Sequence, residues 1–245
     1  MLVRITNSCQ MCCKHCMVDA TPDGEHMTRE VYEQTIKFIL SQGFPIILMS
    51  GGEPTDHPDI VPFIRYASNM GIYVTLLSNG EFLHDKPEMR DAILDKVHAV
   101  QVTNDPAFYP RYVEPFHHHK VLWETQLRQV SPHGRARTNK LRTNRTAPEC
   151  FNIRSLTRAL GSFASARLSL IGRGKMCTPS VNVDGSISAG EAPGCTKIGY
   201  VTDDDSTIEH NIRLMRCSRC GLVDNLDREH QRAIGEAVLI VPGEK

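Results

Sequence analysis

The chain has 245 residues, 40% of them hydrophobic and 23% charged, an ordinary globular usage that excludes intrinsic disorder as the dominant state. Lys plus Arg and Asp plus Glu are both 28, so the formal net charge is zero and no global field draws the protein to nucleic acid or an anionic membrane. No apolar run approaches the roughly 20 residues that span a bilayer, and the first residues lack the features of a signal peptide, so the expected location is the cytoplasm.

In chain order, residues 2–6 read as a short strand. Thr28 is placed to cap a helix reaching about residue 41, with Val31, Ile36, Phe38, Ile39 and Leu40 at its apolar positions. Residues 45–49 form an apolar run suited to a strand buried on both faces. Pro58 is placed to start a helix toward Met70, and Gly71 to end it. A strand at 72–77, a helix at 87–96 and a strand at 99–103 follow. From 105 to 148 the pattern weakens to a strand at 120–124 and a Pro/Gly/Arg-rich stretch. A helix at 153–163 and a strand at 166–171 come next. Residues 181–187 alternate around Asp184-Gly185, a hairpin signal. A helix at 208–215 leads into Cys217. Strands alternating with helices predict a parallel sheet, open or closed into a barrel, with chemistry at the C-terminal ends of the strands.

The nine cysteines are Cys9, Cys12, Cys13, Cys16, Cys150, Cys177, Cys195, Cys217 and Cys220. In a reducing compartment such a pattern points to metal binding or catalysis rather than to disulfides. Cys9, Cys13 and Cys16 follow the first strand on one loop. Three thiolates on a short loop suit a cubane iron–sulfur cluster with one iron left unligated. Structural zinc and electron-transfer clusters normally take four protein ligands.

The spacing Cys9-x3-Cys13-x2-Cys16, followed after the second strand by Gly51-Gly52-Glu53-Pro54, resembles the radical S-adenosylmethionine (radical SAM) enzymes. The resemblance implies that the unligated iron binds SAM, that one electron cleaves the sulfonium bond, and that a 5′-deoxyadenosyl radical abstracts a substrate hydrogen. It places Gly51, Gly52, Glu53 and Pro54 at the SAM amino group. Ser78 and Asn79 fall near its methionine and ribose, and Thr103 and Asp105 are further, less closely matched positions. Two glycines would let backbone carbonyls approach the ligand. His15 stands where the family usually has an aromatic. Cys12 is an extra thiol, either a bystander or a competing ligand.

Cys177, Cys195, Cys217 and Cys220, bracketing the hairpin and ending in CxxC, resemble the twitch form of the SPASM extension. That likeness implies one auxiliary 4Fe–4S cluster with full protein ligation; a zinc ribbon is the alternative. Cys150 is left over as a core or surface thiol. The expected fold is α/β, a partial (β/α)6 TIM-like barrel over residues 1–172 with a twitch-like domain over 173–245. The expected activity is a radical SAM oxidoreductase that oxidises a small polar metabolite and passes an electron to the auxiliary cluster. The alternatives are a peptide maturase and a non-catalytic iron–sulfur or zinc protein. Expected partners are a small-molecule or peptide substrate and a reducing flavodoxin or ferredoxin, with neither membrane nor nucleic acid. The chain starts almost at its first strand, without a leader-binding domain, which shifts weight toward a small molecule. Arg135, Arg137, Lys140, Arg142 and Arg145 make a basic stretch, read as a solvated loop or an anion site.

Overall fold

The computed structural model describes residues 1–125, 130, 133–141, 179–191 and 195–214. Strands β1 (Leu2–Arg4), β2 (Ile46–Ser50), β3 (Tyr73–Ser78), β4 (Ala99–Thr103) and β5 (Val121–Glu124) run parallel in the order β5-β4-β3-β2-β1. β6 (Ser180–Val181) continues the sheet parallel to β1, and β7 (Ser186–Ser188) and β8 (Lys197–Tyr200) add antiparallel strands beyond it. The helix and strand expected at 153–163 and 166–171 lie outside the described residues.

Helix α1 (Arg29–Ser41) starts where a hydroxyl is available. Thr28 is extended, at φ −72° and ψ 160°, and its side chain accepts the Val31 N–H at 3.3 Å. Helix α2 (Ile60–Asn69) starts later than Pro58 suggests, with Asp59 as its cap residue, and Gly71 follows its end at φ +80°. A short helix, α3 (Phe82–Asp85), precedes α4 (Pro87–Lys96), which has Pro87 in its first turn. Helix α5 (Gly134–Thr138) lies in the Pro/Gly/Arg-rich stretch, and α6 (Asp205–Leu214) follows β8. Asp204 stands before α6 and accepts the Thr207 N–H at 2.7 Å. Among the described residues, no helix is long and apolar enough to cross a membrane.

The register sorts the strand residues into two faces. Val3, Ile47, Met49, Val74, Leu76, Val100 and Val102 share one face and join α1, α2 and α4 in a single buried core. The opposite face mixes Arg4, Ser50, Thr75, Gln101, Thr103 and Glu124 with Leu2, Leu48, Leu77 and Leu122. β2 is therefore not buried on both faces: Ile47 and Met49 are inaccessible, whereas Ile46 is 47% exposed. The face toward the helices is the more uniformly apolar of the two.

The hairpin turns through three residues. Asn182 N–H reaches Ser186 O and Gly185 N–H reaches Asn182 O, both at 2.9 Å, with Gly185 at φ +78°. Asp184 accepts the Ser186 N–H and hydroxyl at 2.9 and 2.6 Å. Arg4, buried at the end of β1, donates to Asn182 Oδ1 at 2.8 Å, to Ser180 Oγ at 3.2 Å and to the Glu191 carbonyl. The hairpin, expected within a separate C-terminal unit, is continuous with the sheet that carries the cysteine loop.

Candidate active site

The chain leaving β1 stays paired with the segment leaving β2. Ile5 N–H donates to Ser50 O at 2.9 Å, Gly52 N–H to Thr6 O at 2.8 Å and Glu53 N–H to Ser8 O at 2.8 Å. A Cβ on Gly51 would lie 2.4 Å from Thr6 O, and one on Gly52 would lie 2.2 Å from Ser8 O. These glycines permit a close approach to the backbone leaving β1.

The cysteine loop is closed at its neck by Cys9 N–H to Thr21 O at 2.9 Å and Thr21 N–H to Asn7 O at 3.2 Å. Inside it, Cys16 N–H donates to Cys13 O at 3.2 Å. Cys13, Met11 and Val113 form a small buried cluster, with Cys9, Cys16, Tyr109 and Trp123 packed against it. The three thiols thus share one apolar wall. Cys12 is exposed at φ +47° and stands outside that cluster. Burial pushes the Cys9 thiol up to about 11 and Cys13 to about 12, and Cys13 is raised further by facing Cys9 and Cys16.

Glu53 is 3% exposed and caps a one-turn 3-10 helix over Pro54–Asp56. Its Oε1 accepts Thr55 N–H at 3.1 Å, Thr55 Oγ1 at 2.8 Å and Ser78 Oγ at 3.0 Å; its Oε2 accepts Asn79 N–H at 2.8 Å. Burial raises its pKa against the pull of these bonds. The ends of β2 and β3 are thereby tied together through one carboxylate. Asn79 is 7% exposed, its Oδ1 accepts Glu81 N–H at 2.9 Å, and its Nδ2 is buried without a partner.

Thr103 ends β4 in register with Glu124. Asp105 caps the next turn, accepting Ala107 N–H at 2.9 Å through Oδ1 and the Phe108 and Tyr109 N–H groups at 2.9 Å through its carbonyl. Between them Asn104, which the sequence reading passed over, is fully buried. It accepts Val113 N–H at 3.2 Å and donates to Arg111 O at 3.3 Å, pinning the loop that brings Tyr109 and Val113 to the thiols. His15 meets Phe108 edge-on at 5.5 Å and Tyr109 at 4.9 Å between ring centroids. Burial lowers its pKa.

Cys195 is half-buried beyond the hairpin. Cys150, Cys177, Cys217 and Cys220, with Arg142 and Arg145, lie outside the described residues. Arg135 is described and carries contacts no motif signalled: it grips the cysteine loop from α5, with Nε donating to Cys13 O and Nη1 to Ala20 O, both at 2.9 Å.

The family model for the Radical SAM superfamily matches residues 3–123. Residues 3–123 are a radical SAM domain. Over 101 residues the chain is 37% identical to an AdoMet-dependent heme synthase of Methanosarcina barkeri, covering 40% of this chain and 27% of that protein. Over 84 residues it is 29% identical to a PqqA peptide cyclase of Bradyrhizobium diazoefficiens, covering 34% of this chain and 22% of that one. These matches span about a quarter of the relatives' length. In fold, the chain resembles BtrN in complex with AdoMet and 2-DOIA, with a TM-score of 0.60 and 14% identity over 89% of this chain and 85% of that one.

The radical SAM family implies a 4Fe–4S cluster and SAM, and the donor set fits both. Three soft thiols share one apolar wall, the donor set that an iron–sulfur cluster takes. Among the described residues, the buried Nδ2 of Asn79, Nδ1 of His15, Nε1 of Trp123, Nε2 of His133 and Nη2 of Arg135 have no partner. Buried donors are normally satisfied, so unpaired ones close to a ligand set mark where a bound group supplies acceptors. Among the described residues, no group of His, Cys, Asp and Glu side chains is arranged to hold a single metal ion.

Proposed function

We propose that the protein is a radical SAM oxidoreductase acting on a small polar metabolite. The convergence of Cys9, Cys13 and Cys16 with the Glu53–Ser78–Asn79 network at one end of the parallel sheet carries this reading. Cys9, Cys13 and Cys16 hold the SAM-binding cluster, while Cys177, Cys195, Cys217 and Cys220 hold an auxiliary one. When bound, the first cluster and SAM supply reductive cleavage of the sulfonium bond and hydrogen abstraction, and the auxiliary cluster an acceptor for the substrate's second electron.

The chain's own part is positional. Glu53, oriented by Thr55, Ser78 and Asn79, offers a carboxylate to an ammonium group. Asn79 keeps one amide donor free for a bound acceptor because its oxygen is committed to Glu81. Tyr109, Val113 and Trp123 keep water from the thiols. On the mixed face away from the helices, Ser50, Thr75, Gln101 and Thr103 offer polar contacts to a hydroxylated or amino-bearing substrate. Residues 1–172 form the radical SAM core and 173–245 the auxiliary unit, which shares its hairpin with the core sheet. A flavodoxin or ferredoxin supplies the reducing electron.

The partial likeness to a PqqA peptide cyclase favours a second reading, a maturase acting on a ribosomal peptide. It predicts a mass change or cross-link in a co-expressed precursor. The oxidation reading is tested by the iron, sulfide and zinc content of the Cys9/Cys13/Cys16 triple alanine variant, purified anaerobically. About four irons per chain supports an auxiliary cluster and oxidation. About one zinc without iron makes the C-terminal site structural and a redox-neutral reaction the better account.

A further inference from the structure

Residues 133–141 cross the cysteine loop from far away in sequence, and their contacts concentrate on it. Arg135 N–H donates to Cys16 O at 2.9 Å, and Asn139 Nδ2 to Lys14 O at 2.9 Å. Gly134, at φ +53°, presses so closely that a Cβ would lie 2.6 Å from both Cys16 O and Met17 O. The Arg135 guanidinium adds Nε to Cys13 O and Nη1 to Ala20 O. The carbonyls of Cys13, Lys14, Cys16 and Ala20 are thus held by one short segment.

The remaining guanidinium nitrogen sets the inference. The buried Arg135 Nη2 has no hydrogen-bond partner among the described residues. Among the described residues, no carboxylate pairs with Arg135. Arg135 is half-buried, and its covered Nη2 is a charged donor that an arriving anion would satisfy. The anionic group this loop is built to take is a cluster held by three thiolates.

We propose that Arg135 is a positioning residue for the Cys9/Cys13/Cys16 cluster, strapping its loop while its uncompensated charge raises the cluster's reduction potential. This rests on the reading of those three cysteines as cluster ligands. The direction follows from charge. Reduction adds one negative charge to the cluster, and a fixed neighbouring cation favours the reduced form, strongly so where water is excluded.

The test uses the full chain, reconstituted anaerobically, as wild type, Arg135→Gln, Arg135→Lys and Asn139→Ala. Iron per chain is measured. The electron paramagnetic resonance signal that changes on adding SAM identifies the cluster, which is then titrated without SAM. At a fixed poise, Arg135→Gln is expected to lower the reduced-to-oxidised ratio about tenfold, or about 59 mV for one electron. Arg135→Lys, which keeps the charge, stays much nearer wild type, and Asn139→Ala, which removes a tether alone, titrates like wild type. Failure of Arg135→Gln to load, with Arg135→Lys loading at the wild-type potential, also supports the proposal. It is overturned if both Arg135 variants load and titrate like wild type, or if Lys behaves like Gln. It is equally overturned if neither loads, which leaves Arg135 as a strap alone, or if the shift needs SAM, which places the cation at the cosubstrate. Iron-free wild type would instead remove the cluster reading itself.

Discussion

Replacing Gly52 by Ala tests how the two halves of the site are joined. The added Cβ would sit 2.2 Å from Ser8 O, 2.7 Å from Ser8 C and 2.8 Å from Ala20 Cβ. Two of these are backbone atoms, so no rotamer change relieves the clash. Overpacking of this kind costs about 1–3 kcal/mol. Separating the strands also loses Gly52 N–H to Thr6 O and Glu53 N–H to Ser8 O, at about 1 kcal/mol each. The expected loss is therefore about 3–5 kcal/mol. The matched control is Gly43→Ala, at φ +68° with open space around it, which carries only left-handed strain of about 1–2 kcal/mol. Urea unfolding of the apo protein, with slopes compared, measures both. Because Cys9 follows Ser8 directly, Gly52→Ala is also expected to load less iron than Gly43→Ala. Stability of Gly52→Ala equal to that of the control would refute the claim that the glycines exist for strand approach.

Three further outcomes follow from the same geometry. Ser78→Ala removes the hydroxyl that donates to Glu53 at 3.0 Å and accepts Gly80 N–H at 3.0 Å, and is expected to cost about 1–3 kcal/mol in urea unfolding; an unchanged midpoint would contradict the Glu53 network. The raised Cys9 and Cys13 thiols hold their protons more tightly folded than unfolded. Their contribution is complete below the unfolded value near 9 and is lost as pH rises toward 11–12, so the reduced apo protein weakens above about pH 9. A Cys9→Ser/Cys13→Ser variant with the same alkaline decline would show that other groups cause it. Arg4→Met strips a charged donor from Asn182, Ser180 and Glu191, and should speed hydrogen exchange in β6 and β7 more than in β2 and β3. A uniform change would deny Arg4 a local hold on the hairpin.

Much of the first 124 residues was legible because local signals and tertiary packing agree there. Val74, Leu76, Val100 and Val102 lie in β-branched and apolar runs and are also core, and Thr28 caps the helix its position suggests. The cysteine loop was legible because ligand spacing is short-range. What escaped the sequence reading depends on long-range contact. Helix α5 has only five residues, too few for a helical period, and Arg135 gains its meaning from carbonyls 122 and 115 positions away. Tyr109 and Val113 reach the thiols on the loop that Asn104 pins, and Trp123 reaches them from β5. The glycine pair also packs against the backbone of Thr6 and Ser8, a long-range contact that no local pattern signals.

The central claim is that Cys9, Cys13 and Cys16 hold a cluster that cleaves SAM. The most direct measurement is 5′-deoxyadenosine formed from SAM by the anaerobically reconstituted, chemically reduced protein, beside its Cys9/Cys13/Cys16 triple alanine variant. 5′-Deoxyadenosine is expected from the wild type and none from the variant. Equal production by both proteins, or none from a wild type carrying its full iron, would contradict it.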